Sequence, residues 1–363
     1  MLHLKPGTAP GPGGLRMEHL VALAEEWSEE EMGRYTRFCM AYLNGDLPPW
    51  FMCVMGAINT IPLYKTATRE SDKVRPVGVE HVVVRHLHQQ VALHNKSALA
   101  DHLEPVQLGL SKAGAQKLVH SVRMFSEMHP EFIVVKLDLK NAHSEISRAA
   151  VVEELEAIPS LRHLAFHTAI TNACHTRLVS GGRAWGVAGD GMVQGDPEAG
   201  GRFTVGIHRD LLQLDSDLSE VGGGARGGQD DIFAIGPAHA VFEAVDRFAI
   251  RLWRRCGLQL QRDKTEVFSW GDLPPETPPE MKRGGGIVGG VFRPGILIYG
   301  IPFGHDDWVR DQLKVKVDEI KEISDGASNL LENDRQALWT LLSSSITSML
   351  DFHAQLCYPS DMT

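Results

Sequence analysis

Val134-Val135-Lys136-Leu137-Asp138-Leu139-Lys140-Asn141-Ala142-His143 is the stretch around which the chain is organised. Its β-branched lead-in, Ile133 to Val135, predicts a buried strand. Such a strand delivers one carboxylate, Asp138, to its C-terminal end. Two further acids, Asp230-Asp231, stand far downstream and open a second apolar run, Ile232-Phe233-Ala234-Ile235. Adjacent acids cost little at a solvated hairpin tip, so in isolation the pair reads equally well as a surface turn. The expectation taken forward is that all three acids meet in space.

The totals bound what such a site can serve. The chain has 363 residues, enough for one large or two to three small domains with a real core. At 43% hydrophobic and 23% charged it has the balance of a soluble globular protein. No apolar run approaches the roughly 20 residues a membrane span needs, and the Pro/Gly-rich start, Met1 to Gly14, lacks the apolar centre of a signal peptide. Five cysteines stand singly at 39, 53, 174, 256 and 357, without metal-ligand or redox spacing. They predict reduced thiols in an intracellular compartment, nucleus or cytoplasm. A net charge of −10 excludes a simple basic coat for nucleic acid but leaves room for local basic strips.

Along the chain, Lys5 to Gly14 cannot form a helix or strand interior and reads as a tail or loop. A helix is expected from Leu15 to Glu26. Ser28 and Glu31 then form a capping box, with Trp27 and Met32 as its hydrophobic staple. Ala57 to Tyr64 and Lys73 to Val77 read as a hairpin joined by the polar turn Arg69-Glu70-Ser71-Asp72. The helix expected from Val82 to His102 is rich in histidine, and exposed or core histidine is the favoured reading of His81, His86 and His88 over metal binding. Further helices are expected at Ser111 to Met128, Ile146 to Ala157, Ser160 to Cys174, Gly201 to Gln213 and Pro237 to Cys256, with a short hairpin from Thr176 to Trp185. Gly222 to Gly228 is poor strand material. Pro274 to Pro279 reads as a linker, Gly284 to Phe303 as short strands, and Asp306 to Ser324 and Glu332 to Leu356 as two long helices.

Seven blocks stand in a telling order. They are Lys73-Val74-Arg75-Pro76-Val77, Gln107-Leu108-Gly109-Leu110, Lys136 to His143 with Ser147-Arg148, Gln194-Gly195-Asp196-Pro197, Gln229-Asp230-Asp231, Gly257 to Val267, and Tyr299 to Gly304. In that order the chain resembles the reverse transcriptase of a eukaryotic retroelement over nearly its whole length. Each block alone is weak; their order and spacing carry the resemblance. It implies an α+β right-hand polymerase fold: an N-terminal extension and fingers over 1–130 with the hairpin at about 57–77, a palm over 131–272 built as a small antiparallel sheet backed by helices, and the end of the palm with a helical thumb over 273–363.

The resemblance implies a chemistry too. An RNA-directed DNA polymerase adds a dNTP to a primer 3′-hydroxyl on an RNA template–DNA primer duplex. Two Mg²⁺ ions, with Mn²⁺ as the substitute, sit about 3.5–4 Å apart in such sites. Asp138, Asp230 and Asp231 would be the carboxylate ligands and the Leu139 carbonyl a backbone ligand. Lys264 would assist the departing pyrophosphate. Lys73 and Arg75 would neutralise the triphosphate, and Gln194 and Gly195 would contact the nucleotide and the nascent pair. His143 takes the place of an aromatic gate against ribose. Gly228 and Gln229 replace the aromatic and the small residue usual before the acids, and the glycine-rich approach is expected to pack loosely. A catalytically decayed nucleic-acid-binding remnant and an RNA-templated RNA polymerase therefore stay as alternatives. Other domains of a retroelement polyprotein are the implied covalent neighbours, and no membrane is.

Overall fold

In the computed structural model, residues 7–64, 74–328, 330–331, 334–346 and 349–357 are described, with Arg75 described through its backbone alone. The described chain begins with helices α1 (Met17–Glu26), α2 (Glu29–Leu43) and α3 (Pro49–Met55), strands β1 (Ile58–Tyr64) and β2 (Val74–Glu80), then helices α4 (Val82–Leu103) and α5 (Gly114–Met128). Strand β3 (Ile133–Leu137) leads to α6 (Ala142–Glu145), α7 (Arg148–Ala157), α8 (Arg162–Thr171), β4 (Thr176–Ser180), β5 (Arg183–Ala188) and α9 (Ala199–Ser219). Next come β6 (Gly224–Gly228), β7 (Asp231–Gly236), α10 (Ala238–Cys256), β8 (Glu266–Phe268), β9 (Lys282–Arg283), β10 (Gly285–Val288), β11 (Val291–Ile298) and β12 (Ile301–Gly304). Helices α11 (Asp306–Ser328), α12 (Arg335–Leu341) and α13 (Asp351–Leu356) close the described chain. The fold class is α+β. No helix among the described residues is long and apolar enough to cross a membrane.

Two compact units divide the chain. The first takes Met1–Ser111, Leu139–Leu212 and Phe248–Gln259; the second takes Lys112–Asp138, Gln213–Arg247 and Leu260–Thr363.

The second unit is built on a five-stranded sheet of order β6-β7-β3-β8-β9. Every pair in it is antiparallel except β8 with β9. Strand β3 lies at its centre because Ile133, Val134, Val135 and Leu137 are all buried, the mark of a strand covered on both faces. Helix α5 packs against β3, β6 and β7 through its apolar stripe, Leu118, Val119 and Val122. The Pro-rich stretch 274–279 lies inside this unit, between β8 and β9. A meander of order β10-β11-β12 follows, and α11 packs against all three strands.

Two expectations for this unit are corrected. Gly224 to Gly228 is a strand despite its glycines, because its backbone pairs along β7 from Gly224↔Ile235 to Gly228↔Asp231. The small residues admit neighbours that side chains would exclude. The second long helix is broken into α12, a π turn at Leu342–Ile346 and α13. Thr340, Ser343 and Ser344 turn their hydroxyls onto carbonyls one turn back, on Gln336, Trp339 and Thr340, which competes with the regular helical ladder.

The first unit holds a four-stranded sheet of order β2-β1-β4-β5. The expected hairpin is present as β1 against β2, from Ile58↔Glu80 to Tyr64↔Val74. Its turn, including Arg69 to Asp72 and Lys73, lies outside the described residues. The Ser28–Glu31 capping box is present, with both reciprocal bonds made. Trp27, the expected staple residue, lies against Tyr35, ring centroids 5.0 Å apart. The N-terminal segment is no loose tail from Thr8 onward. Arg85 donates to the Thr8 hydroxyl at 2.6 Å, Asn59 donates to the Pro10 carbonyl at 3.3 Å, and Gly11 is buried against the Glu80 carbonyl.

The expectation of five reduced thiols is overturned as well. Cys53 and Cys174 form a disulfide, while Cys39, Cys256 and Cys357 remain thiols. The partners are 121 residues apart, so no local spacing betrayed them. Folding brings their α-carbons within 5.6 Å.

Candidate functional site

The second unit gathers most of the predicted acids at one end of its sheet. Strands β3 and β7 run antiparallel with Leu137 opposite Ile232. One step further in that register sets Asp138 opposite Asp231. Residues directly opposed in an antiparallel pair lie about 4.5–5.5 Å apart at their α-carbons and share a face. Asp230 fills the two-residue turn between β6 and β7 beside Gln229, whose φ of 61° is left-handed. A non-glycine residue there stores strain, as turns at functional sites often do.

Lys136 precedes Asp138 by two positions on β3 and therefore shares its face. Its Nζ lies 3.8 Å from Asp231 Oδ1 and donates to the Leu297 carbonyl at 3.1 Å. The segment after α10 supplies a second basic residue. Gln261 N–H donates to the Asp138 carbonyl at 2.8 Å, and Lys264 is held over that turn, Nζ to Gln261 Oε1 at 2.9 Å. Lys264 is the strongest compensating charge felt by Asp138.

Crowding shows in the acids' proton affinities. Burial raises the Asp138 carboxyl above the usual range, Lys264 pulls it back, and Asp230 pushes it up again. Burial likewise raises Asp231, with Lys136 opposing and both Asp230 and Asp138 adding to the rise. A raised value in the fold means that ionising these acids costs the folded state more than the unfolded chain. The cost is absent below the ordinary carboxylate range, near pH 4, and complete once pH exceeds the raised values. The metal-free protein is therefore expected to lose stability as pH climbs through that window. Asp231→Asn should flatten the loss, and urea midpoints measured across the window check it.

One contact at this sheet end leaves no signal in the sequence. The aromatic expected two places before Asp230 is Gly228, yet the space is filled. Tyr299, in the turn between β11 and β12, donates its hydroxyl to the Gly228 carbonyl at 2.7 Å. A Cβ on Gly228 would come within 2.1 Å of that hydroxyl and 2.4 Å of the ring. Glycine is required there by the close approach. The aromatic support arrives from 71 residues away, so the turn is not loosely held. Burial, with Asp231 and Asp230 beside it, pushes the Tyr299 hydroxyl up to about 12, so it stays a donor at neutral pH. Tyr299→Phe is expected to cost about 0.5–1.5 kcal/mol, the value of one such bond, read from urea unfolding.

Leu139, Gln194, Gly195 and His143 belong to the first unit. Leu139 is buried directly after Asp138. The Gln194 carbonyl accepts the Gly78 N–H at 2.7 Å. Gly195, at φ 117°, leaves no room for a Cβ, which would meet the Gly78 carbonyl at 2.3 Å. The His143 ring stacks on Phe203 with centroids 4.3 Å apart, and its carbonyl accepts the Met192 N–H at 2.6 Å. A cleft of about 150 Å³ opens beside Gln194, lined by Thr60, Gly78, Ser144, Arg148 and Trp185. Arg75 pairs with Leu63 through its backbone. Its side chain, like all of Lys73, lies outside the described residues.

No family model matches the chain. No curated protein matches it. Among solved structures, apo telomerase from Candida tropicalis, truncated from its C-terminal domain, is similar over 70% of this chain at 9% identity and a TM-score of 0.48. This chain spans 54% of that one.

Proposed function

We propose that the chain is an RNA-directed DNA polymerase of the retroelement type, with the second-unit sheet as the floor of a metal-dependent nucleotidyl-transfer site. The observation that carries the reading is the convergence of Asp138, Asp230 and Asp231 at one sheet end, with the proton affinities of Asp138 and Asp231 raised. Their oxygens are hard donors, and their mutual repulsion is the condition a bound dication relieves. The residues therefore fit Mg²⁺, or Mn²⁺ in its place, and Asp138, Asp230 and Asp231 would hold it. Bound cations supply charge stabilisation to the attacking and departing oxygens of the transfer.

The chain's own side chains do the rest. Lys264, poised beside Asp138, offers positive charge and a proton to the departing pyrophosphate. Lys136 restrains Asp231 at the sheet end. Tyr299 braces the turn that carries Asp230. In the first unit, the tight Gln194-Gly195 turn presents backbone to a base pair, and Lys73 and Arg75 neutralise the triphosphate. The fingers, palm and thumb names, the RNA template–DNA primer duplex and the dNTP belong to this proposal. So does membership of a longer polyprotein.

A second reading keeps one observation of its own. His143, stacked on Phe203, is a smaller and more polar gate than a full aromatic. An RNA-templated RNA polymerase is its consequence. Primer extension on an RNA template with Mg²⁺ tests both. Growth with dNTPs supports the proposal, preference for NTPs supports the second reading, and duplex binding without extension identifies a decayed remnant.

A further inference from the structure

The first unit buries a cluster of charge of its own. Glu80 ends β2, His88 lies in α4, His167 in α8, Arg202 in α9, and Asp196 and Glu198 follow the Gln194-Gly195 turn. All six side chains are more than nine-tenths buried. His88 Nδ1 lies 3.0 Å from Glu80 Oε1, 3.3 Å from Asp196 Oδ1 and 3.9 Å from Glu198 Oε2. Among the described residues, His88 Nδ1 and Glu80 Oε2 are both left without a partner at full hydrogen-bond geometry. Buried polar atoms are rarely left so.

The charge is unbalanced in the same place. Arg202 bonds Glu198 Oε2 at 2.8 Å and lies 3.4 Å from Asp196 Oδ2. One guanidinium thus faces three carboxylates, so without a proton on His88 or Glu80, or a bound cation, two negative charges stay uncompensated in a dry interior. Such a state is costly. A divalent cation cancels it.

We propose that Glu80, His88 and Asp196 form a structural site for a divalent transition cation of the zinc class. Bonds of about 2.0–2.2 Å set the ligand atoms of a tetrahedral zinc roughly 3.3–3.5 Å apart, close to the 3.0 and 3.3 Å found here. An imidazole with two carboxylates suits zinc better than magnesium. The surroundings are those of an outer coordination shell. Tyr42 hydroxyl meets His88 Nε2 at 3.4 Å; a ring proton on Nε2, donated to that hydroxyl, would leave the Nδ1 lone pair for the ion. Arg202 reaches the far oxygen of Asp196, and His167 Nε2 fixes Glu198 at 3.0 Å. The ion would pin the Asp196-Pro197 turn to α4 and β2.

The competing occupant is a proton. Burial pushes the His88 imidazole down, but Glu80 and Asp196 outweigh it and hold it well above its usual value. The two occupants separate in one experiment. The full chain is stripped with EDTA, dialysed into excess Mg²⁺ and loaded with Zn²⁺, and its metal content and melting temperature are measured. One zinc retained per chain and a rise of several degrees are expected. Glu80→Gln should weaken zinc more than the roughly 10–100-fold that losing an outer partner costs. Tyr42→Phe should fall within that range, and Asp230→Asn should retain zinc fully. Should Glu80→Gln fail to fold, Co²⁺ in the wild-type chain decides through the visible bands of tetrahedral nitrogen–oxygen coordination. No retained zinc and no thermal response, or zinc lost by Asp230→Asn and kept by Glu80→Gln, overturns the proposal.

Discussion

Asp230→Asn is expected to abolish primer extension and, at the same time, to stabilise the metal-free protein. The two effects have one cause. Asp230 sits in a two-residue turn beside Asp138 and Asp231 and raises the proton affinity of both. The neutral amide removes that repulsion, so without metal the sheet end relaxes and the urea midpoint rises. The same change removes a hard, charged donor from the proposed cation site. Loss of a group that stabilises transition-state charge costs about 10²–10³ in rate, and a shared ligand should cost at least that. Single-turnover extension with Mg²⁺ and urea unfolding in EDTA make the paired measurement. Normal extension, or a variant less stable than wild type in EDTA, would count against a common acid cluster. Stabilisation together with loss of activity is not what an ordinary folding defect produces.

The second large effect concerns the contact between Gly228 and Tyr299. Gly228→Ala drives a methyl to within 2.1 Å of the Tyr299 hydroxyl, so the ring or the turn must move. Overpacking of this kind costs about 1–3 kcal/mol. Because Asp230 lies two residues on, the displaced turn should also slow extension, since small errors in catalytic geometry are costly. Tyr299→Ala opens a hole under the same turn and should destabilise by a comparable amount. The double variant is the informative one. With the ring gone, Gly228→Tyr can fill its space from the strand itself. The pair should then recover stability that neither change allows alone, giving a coupling energy of about 0.5–3 kcal/mol. Additive losses would mean that the two residues do not share one space.

The strands beside the acids were legible because Ile133 to Val135 and Ile232 to Ile235 are short, β-branched and apolar runs. Only the order of the blocks along the chain joined the three acids into a set. The Ser28–Glu31 cap and the β1–β2 hairpin were legible because their partners are neighbours in the chain. The glycine approach misled, because a strand's weakness by propensity says nothing of what lies against it.

Local order along the chain thus determined the strands, most of the helices and the identity of the acids at the sheet end. Tertiary structure alone decided that Tyr299 braces Gly228, that Cys53 reaches Cys174, and that Glu80, His88 and Asp196 converge in a dry interior. Periodicity and turn chemistry act over a few residues and leave their mark in spacing. Close approach, charge balance and covalent pairing act between surfaces that only the folded chain brings together, so no spacing records them.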